Sequence, residues 1–305
     1  MAKHTMTVLA DGSERVAYND PAYPVYAGFG RLGRLPGMKV IHHWHEDMEF
    51  IYCRTGHMVY SVNGEHVRLR EGDGIYVSPR QVHRNYSEDG TDASYLTVLI
   101  HPSLLRTRFQ EMEQIISDML RGDGCPYLLL RPEVEWQKQM IDEIRRIHVL
   151  IRRPEESRMI GVMGCAFEMT FLLHENMPQE TESARPDRRI PTLRDMVNFI
   201  QKHYAEKVSI ADICKAGKVG SSTCYDLFKK HLDTTPLGYL TLYRLEKSLE
   251  LLASPGLSIT EAAYATGFSG ASYYAESFRK QYQLSPTEYR TRIQAELREG
   301  NEAKG

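Results

Sequence analysis

The chain has 305 residues, 42% of them apolar and 26% charged, with 38 Lys and Arg against 40 Asp and Glu. That length suits two domains, and the composition is that of an ordinary globular protein. No apolar run approaches the roughly 20 residues of a membrane helix, and the opening "MAKHTMTVLADGSERVAY" lacks the basic segment and apolar core of a secretory signal, so a cytoplasmic protein with no membrane partner is expected.

Five cysteines (Cys53, Cys125, Cys165, Cys214, Cys224) include no C-x-x-C pair, which argues against a zinc finger and for reduced, buried thiols. Charge is uneven: residues 192–292 carry 13 Lys and Arg against 10 Asp and Glu, while residues 1–191 carry 23 against 27. The positive excess permits a nucleic-acid partner without demanding one.

From about Val25 to Leu99 the sequence reads as β. Runs such as "EFIYCRTG" and "MVYSVNGEHVRLREGDGIYVSP" alternate in polarity and are broken by turn residues. Asn63-Gly64 accepts the positive φ angles of a type I′ hairpin, and Gly72-Asp73-Gly74 marks the next reversal. Many short antiparallel strands suggest a small barrel or sandwich that can enclose a ligand. Inside this region, "HHWHEDMEF" places His43, His45 and Glu49 on one parity, so a continuous strand turns them into the same cavity. Trp44 points the other way, and His42 is expected at the surface or in packing. His57 and His66 have no convergent partners.

Residues 103–176 change to helical spacing. Trp136, Met140, Ile144, Ile147 and Ile151 recur at steps of four, four, three and four and form one apolar stripe; a second helix is expected over 157–175. The stripe either covers the β domain or pairs with its copy in a homodimer. "NMPQETESARPDRRIP", residues 176–191, has three prolines and no periodicity, and reads as a linker.

"FKKHLDTTPLGY" (228–239) and "FRKQYQLSPTEY" (278–289) are copies of one unit 50 residues apart. Upstream, "SIAD" and "SITE" are both capping boxes, each opening a short helix that ends at a glycine, Gly217 or Gly267. Helix, glycine turn, helix is the helix-turn-helix plan, whose second helix fits a major groove. In the first unit Cys224, Leu227 and Phe228 are expected inward, leaving Ser222, Tyr225, Asp226, Lys229 and Lys230 for DNA. In the second, Tyr274 and Phe278 face inward, leaving Ser272, Tyr273, Glu276, Arg279 and Lys280 outward.

With the long central helix "PLGYLTLYRLEKSLELLAS" and the run "SITEAAYATGFSGASYYAESFRKQYQLSPTEYR", residues 192–292 resemble the DNA-binding domain of AraC/XylS-family transcription regulators. Relatives often carry a base-reading Arg on each recognition helix; here Asp226 and Glu276 stand in that region. Lys229, Lys230, Arg279 and Lys280 are expected on phosphates. "GMKVIHHWHEDMEFIYCRTG" resembles the first cupin motif at Gly37, His43, His45, Glu49 and Gly56. "GDGIYVSPRQVH" resembles the second at Gly72, Asp73, Pro79 and His83, with Ser87 at the usual Asn position and Asn85 nearby.

The resemblance implies a two-domain α+β protein. A cupin β-barrel or sandwich that binds the effector spans 1–102, a helical dimerisation and coupling region 103–175, the linker 176–191, the two helix-turn-helix units 192–292, and a tail 293–305. The implied function is sequence-specific transcription regulation, without catalysis. Promoter DNA, a small-molecule effector of carbohydrate type, a second copy and RNA polymerase are the implied partners. No cofactor is required. His43, His45, Glu49 and His83 either contact the effector directly or hold a divalent transition metal. The alternative is a metal-dependent cupin enzyme, of dioxygenase or isomerase type, with a helical interaction domain.

Overall fold

The computed structural model describes residues 7–8, 13–120, 125–177, 187–253 and 256–302. The chain divides into two compact units: residues 13–191 form the first, and residues 192–305 together with 1–12 form the second.

In the first unit, strand-forming runs end at turn residues that enforce reversal. After β1 (Thr7–Val8), which groups with the second unit, come β2 (Glu14–Arg15), β3 (Val25–Arg31), β4 (Met48–Thr55), β5 (His57–Val62), β6 (Glu65–Arg70), β7 (Gly74–Val77), β8 (His83–Tyr86), β9 (Ser94–Ile100) and β10 (Tyr127–Leu130). β6-β5-β8 form one sheet and β10-β7-β4-β9-β3 another, all antiparallel. Asn63 and Gly64 join β5 to β6 with φ of 51° and 87°, as a type I′ turn requires. Gly56 turns β4 into β5 at φ 76°, where a Cβ would lie 2.3 Å from the Asp92 carbonyl oxygen, so only glycine fits.

Alternation along β4 sorts two cores. Ile51 and Cys53 face the space between the sheets, with Met58, Tyr60, Val62 and Leu69 opposite. Met48 and Phe50 face the other way, onto helices α2 (Glu135–Leu150) and α3 (Arg158–Asn176). Met140, Ile144 and Ile147 are fully buried in that outer core, with Trp136 and Ile151 at its margin. The apolar stripe therefore backs the protein's own sheet and is not free to form a dimer seam. The helical region also contains an unexpected strand: "YLLL" at 127–130 pairs with β7 and ends the five-stranded sheet. Prolines at 126 and 132 exclude a helix through it. Helix α1 (Gln110–Leu120) precedes it.

The expected linker 176–191 lies mostly outside the described residues. Beyond it the second unit is helical: α4 (Ile190–His203), α5 (Ile210–Ala216), α6 (Ser221–Leu232), α7 (Pro236–Ala253), α8 (Ile259–Ala265), α9 (Ala271–Tyr282) and α10 (Pro286–Glu302), the last running through most of the expected tail. α5 and α6 pack on α7, as do α8 and α9. Both capping boxes are complete, Ser209 with Asp212 and Ser258 with Glu261. Ser285 and Glu288 make a third at α10.

The glycine turns differ between the units. Gly267 has φ 85°, and a Cβ would lie 2.5 Å from the Tyr204 carbonyl oxygen. In the first unit Lys218 takes the left-handed conformation instead, at φ 55°. Gly217 is helical, and its need is steric: a Cβ would meet Met196 Cγ at 2.6 Å. Among the described residues no helix is long and apolar enough to cross a membrane.

Candidate functional site

The histidine motif folds just ahead of β4. His43 and His83 exchange backbone hydrogen bonds at 3.0 and 2.9 Å, which brings the loop carrying His43 and His45 alongside β8. Glu49 enters from β4 with the same parity as Ile51 and so points between the sheets. His43, His45, Glu49 and His83 are at most 9% exposed. Ring centroids stand 4.3 Å apart for His43 and His83, 4.9 Å for His45 and His83, and 5.9 Å for His43 and His45.

Each imidazole is oriented the same way. Nδ1 lies 3.0 Å from the Ile41 carbonyl oxygen in His43, 3.1 Å from that of Asp47 in His45, and 2.8 Å from that of Gln81 in His83. A carbonyl only accepts, so Nδ1 carries the proton in all three and Nε2 is left to face the cluster. One ligand atom from each of the three histidines falls within 4.8 Å of the others. Glu49 Oε2 reaches His83 Nε2 at 2.7 Å and His45 Nε2 at 3.5 Å. Glu49 Oε1 accepts from the Tyr60 hydroxyl at 2.7 Å.

Burial and neighbouring charge set the protonation. Burial and the adjacent imidazoles His83 and His45 hold His43 well below the usual histidine range. In His45 burial acts downward but Glu49 and Asp47 outweigh it, pushing the group up to about 9. Burial raises Glu49 too, yet His83 and His45 overcome it and hold the carboxyl well below its usual range.

Two further members of this cluster lie outside the residues the motifs singled out. Glu14, in β2, stands 3.4 Å from His43 Nε2 but lies far upstream in sequence. Tyr60 was legible in principle, since it shares the inward parity of Met58 and Val62 in "MVYSV". His42 is buried, which leaves packing rather than surface as its role, and Trp44 is buried as well. His57 bonds Asp89 and His66 bonds the Tyr86 hydroxyl, both away from the cluster. Asn85 is buried in β8 and touches Met58 Sδ at 3.9 Å.

In the second unit, the amphipathic spacing of α6 buries Cys224, Leu227 and Phe228 and exposes Ser222, Tyr225, Asp226, Lys229 and Lys230. α9 buries Tyr274, Phe278 and Tyr282 and exposes Ser272, Tyr273, Glu276, Arg279 and Lys280. Arg244 on α7 donates to the Tyr204 and Glu206 carbonyl oxygens at 2.7 and 2.8 Å, tying the end of α4 to the central helix.

Comparison with known proteins agrees with this division. A cupin domain family matches residues 34–99 and a helix-turn-helix domain family matches residues 213–292. YdeC of Bacillus subtilis, an HTH-type transcriptional regulator, is 28% identical over 81% of this chain and 85% of its own. The lactose operon transcription activator of Staphylococcus xylosus is 27% identical over 44% of this chain and 48% of its own. The solved structure of ToxT from Vibrio cholerae covers 88% of this chain and 98% of that one, at 13% identity and a TM-score of 0.49. The chain joins a cupin domain to a C-terminal helix-turn-helix domain and, with relatives such as YdeC, is a DNA-binding transcription regulator.

Proposed function

We propose that the cupin unit holds a small effector at His43, His45, Glu49 and His83, and that its occupancy sets how the regulator engages promoter DNA. The observation that carries this reading is the shared orientation of three buried imidazoles, each with Nδ1 tied to a carbonyl and Nε2 turned into the cluster with Glu49. A carbohydrate is the favoured effector: its hydroxyls can donate to His43 Nε2 and to the Glu49 carboxylate, and one similar protein is named for a lactose operon. To act, the effector must bind two states of the regulator with different affinity. In this reading Ser222, Tyr225, Asp226, Lys229 and Lys230 meet DNA from α6, and Ser272, Tyr273, Glu276, Arg279 and Lys280 from α9. The lysines and Arg279 neutralise phosphates. Homodimerisation and contact with RNA polymerase complete it. With the α2 stripe occupied by the sheet, Ile160 and Phe171, 75% and 56% exposed on α3, are the apolar residues a second copy would cover.

One observation favours a second reading of the same cluster. His83 Nε2 and Glu49 Oε2 are buried and, despite their approach, neither is in hydrogen-bonding geometry with any partner among the described residues. Such atoms, beside two further Nε2 groups, fit a divalent transition metal held by His43, His45, His83 and Glu49. When bound, the ion would supply a Lewis-acid anchor for an effector oxygen; the carbonyl contacts at Nδ1 would orient its ligands.

Elemental analysis of the purified full chain, with thermal shift over a sugar panel and promoter-DNA anisotropy, tests both. A sugar that raises Tm and shifts DNA affinity, with both effects lost in His83→Ala, supports the effector reading. Stoichiometric metal that changes DNA affinity without any sugar selects the second. If neither sugar nor metal alters DNA affinity, both fall.

A further inference from the structure

The two recognition helices share an unusual charge order. α6 and α9 are equivalent through the repeat: Phe228 and Phe278 are both fully buried, and their C-caps, Asp233 and Gln283, both take the left-handed conformation at φ 53° and 59°. Ser222, Asp226 and Lys229 then correspond to Ser272, Glu276 and Arg279. Each trio is exposed and spaced i, i+4, i+7, so it forms one face: a hydroxyl, a carboxylate one turn on, and a cation one turn beyond.

Lys229 and Lys230 follow Asp226 by three and four residues, as Arg279 and Lys280 follow Glu276, spacings at which acid and base on a helix ordinarily pair. Among the described residues, neither acid has an ion-pair or hydrogen-bond partner. At the groove rim such a carboxylate meets phosphates and is repelled. On the floor of a major groove it finds amino donors, and it favours cytosine: N4 stands beside a C5–H, whereas adenine N6 stands beside the N7 acceptor, which repels the carboxylate.

We propose, on the reading that α6 and α9 enter DNA, that Asp226 and Glu276 determine sequence by each accepting from the N4 amino group of a cytosine. The operator then carries one fixed C·G pair per half-site, with the pairs about 10 base pairs apart so that both heads lie on one side of the duplex.

Selection of randomised duplexes by the full chain, followed by sequencing, tests the assignment. The expected motif has the two C·G columns. An amide accepts and donates, and so suits adenine N7 and N6; Asp226→Asn should therefore turn the first column towards A·T and leave the second unchanged, while Glu276→Gln should do the converse. Each variant should lose about tenfold in affinity for the wild-type site. A motif unchanged in both variants, with affinity rising equally for every duplex as negative charge is removed, overturns the assignment and places the acids towards phosphate or solvent. A wild-type motif without the paired C·G columns overturns it as well, while leaving DNA binding intact. Failure of the wild-type chain to enrich any sequence would instead overturn the DNA-facing placement of these helices, and this assignment with it.

Discussion

Parity made His43, His45 and Glu49 legible as a group, because an inward face repeats every second residue even though the strand itself begins only at Met48. Glu14 was not legible, since its approach to His43 depends on long-range pairing that places β2 beside the motif. Tyr60 offers a direct check on the cluster. Its hydroxyl is a buried donor to a charged acceptor, and such bonds contribute about 1.5–3 kcal/mol. Tyr60→Phe should lower the urea midpoint of the first unit accordingly; an unchanged midpoint would mean that Glu49 is held by its imidazoles alone. In the second unit, burial pushes Glu246 up to about 7 from the ordinary 4.5, against the hydrogen bond from the Tyr282 hydroxyl, which favours the charged form. The folded state thus binds this proton more tightly than the unfolded state. Stability from this group is full below the unfolded value and is lost as pH rises through 7. Glu246→Gln should therefore raise Tm at pH 8 and change it little at pH 4; an equal shift at both would assign the effect to packing.

Among the elements, those with a self-contained signal were the readable ones. The Asn63-Gly64 hairpin and the capping boxes at Ser209 and Ser258 are local chemistry, and each forms as its residues dictate. The α2 stripe announced a helix but not what covers it, because the same apolar spacing serves a sheet face or a second helix. β10 was missed since four apolar residues do not distinguish strand from helix; only its flanking prolines do. Ile144→Ala should cost about 2–5 kcal/mol by opening a cavity under the sheet, with an unchanged sedimentation coefficient for the folded protein. Dissociation of a dimer at little cost in stability would instead make the stripe a subunit seam. Ser258→Ala removes a cap worth about 1 kcal/mol. It should destabilise the second head and weaken DNA binding, whereas full affinity at the melting-point deficit would separate head stability from recognition.

At the scale of the whole molecule, the sequence carried the division of labour more clearly than the signal that joins its parts. Two reading heads repeat within one helical unit, and repetition is visible without coordinates. The effector is written in side-chain convergence that motif spacing only partly encodes, so its chemistry stays a proposal while the DNA-binding class does not. The central claim is that both heads read one duplex. Hydroxyl-radical footprinting of the full chain on the promoter region of its own gene tests it most directly. Two protected segments about 10 base pairs apart on one face are expected, with the first lost in Lys229→Glu/Lys230→Glu and the second in Arg279→Glu/Lys280→Glu. A single protected segment that survives both double variants would contradict the account.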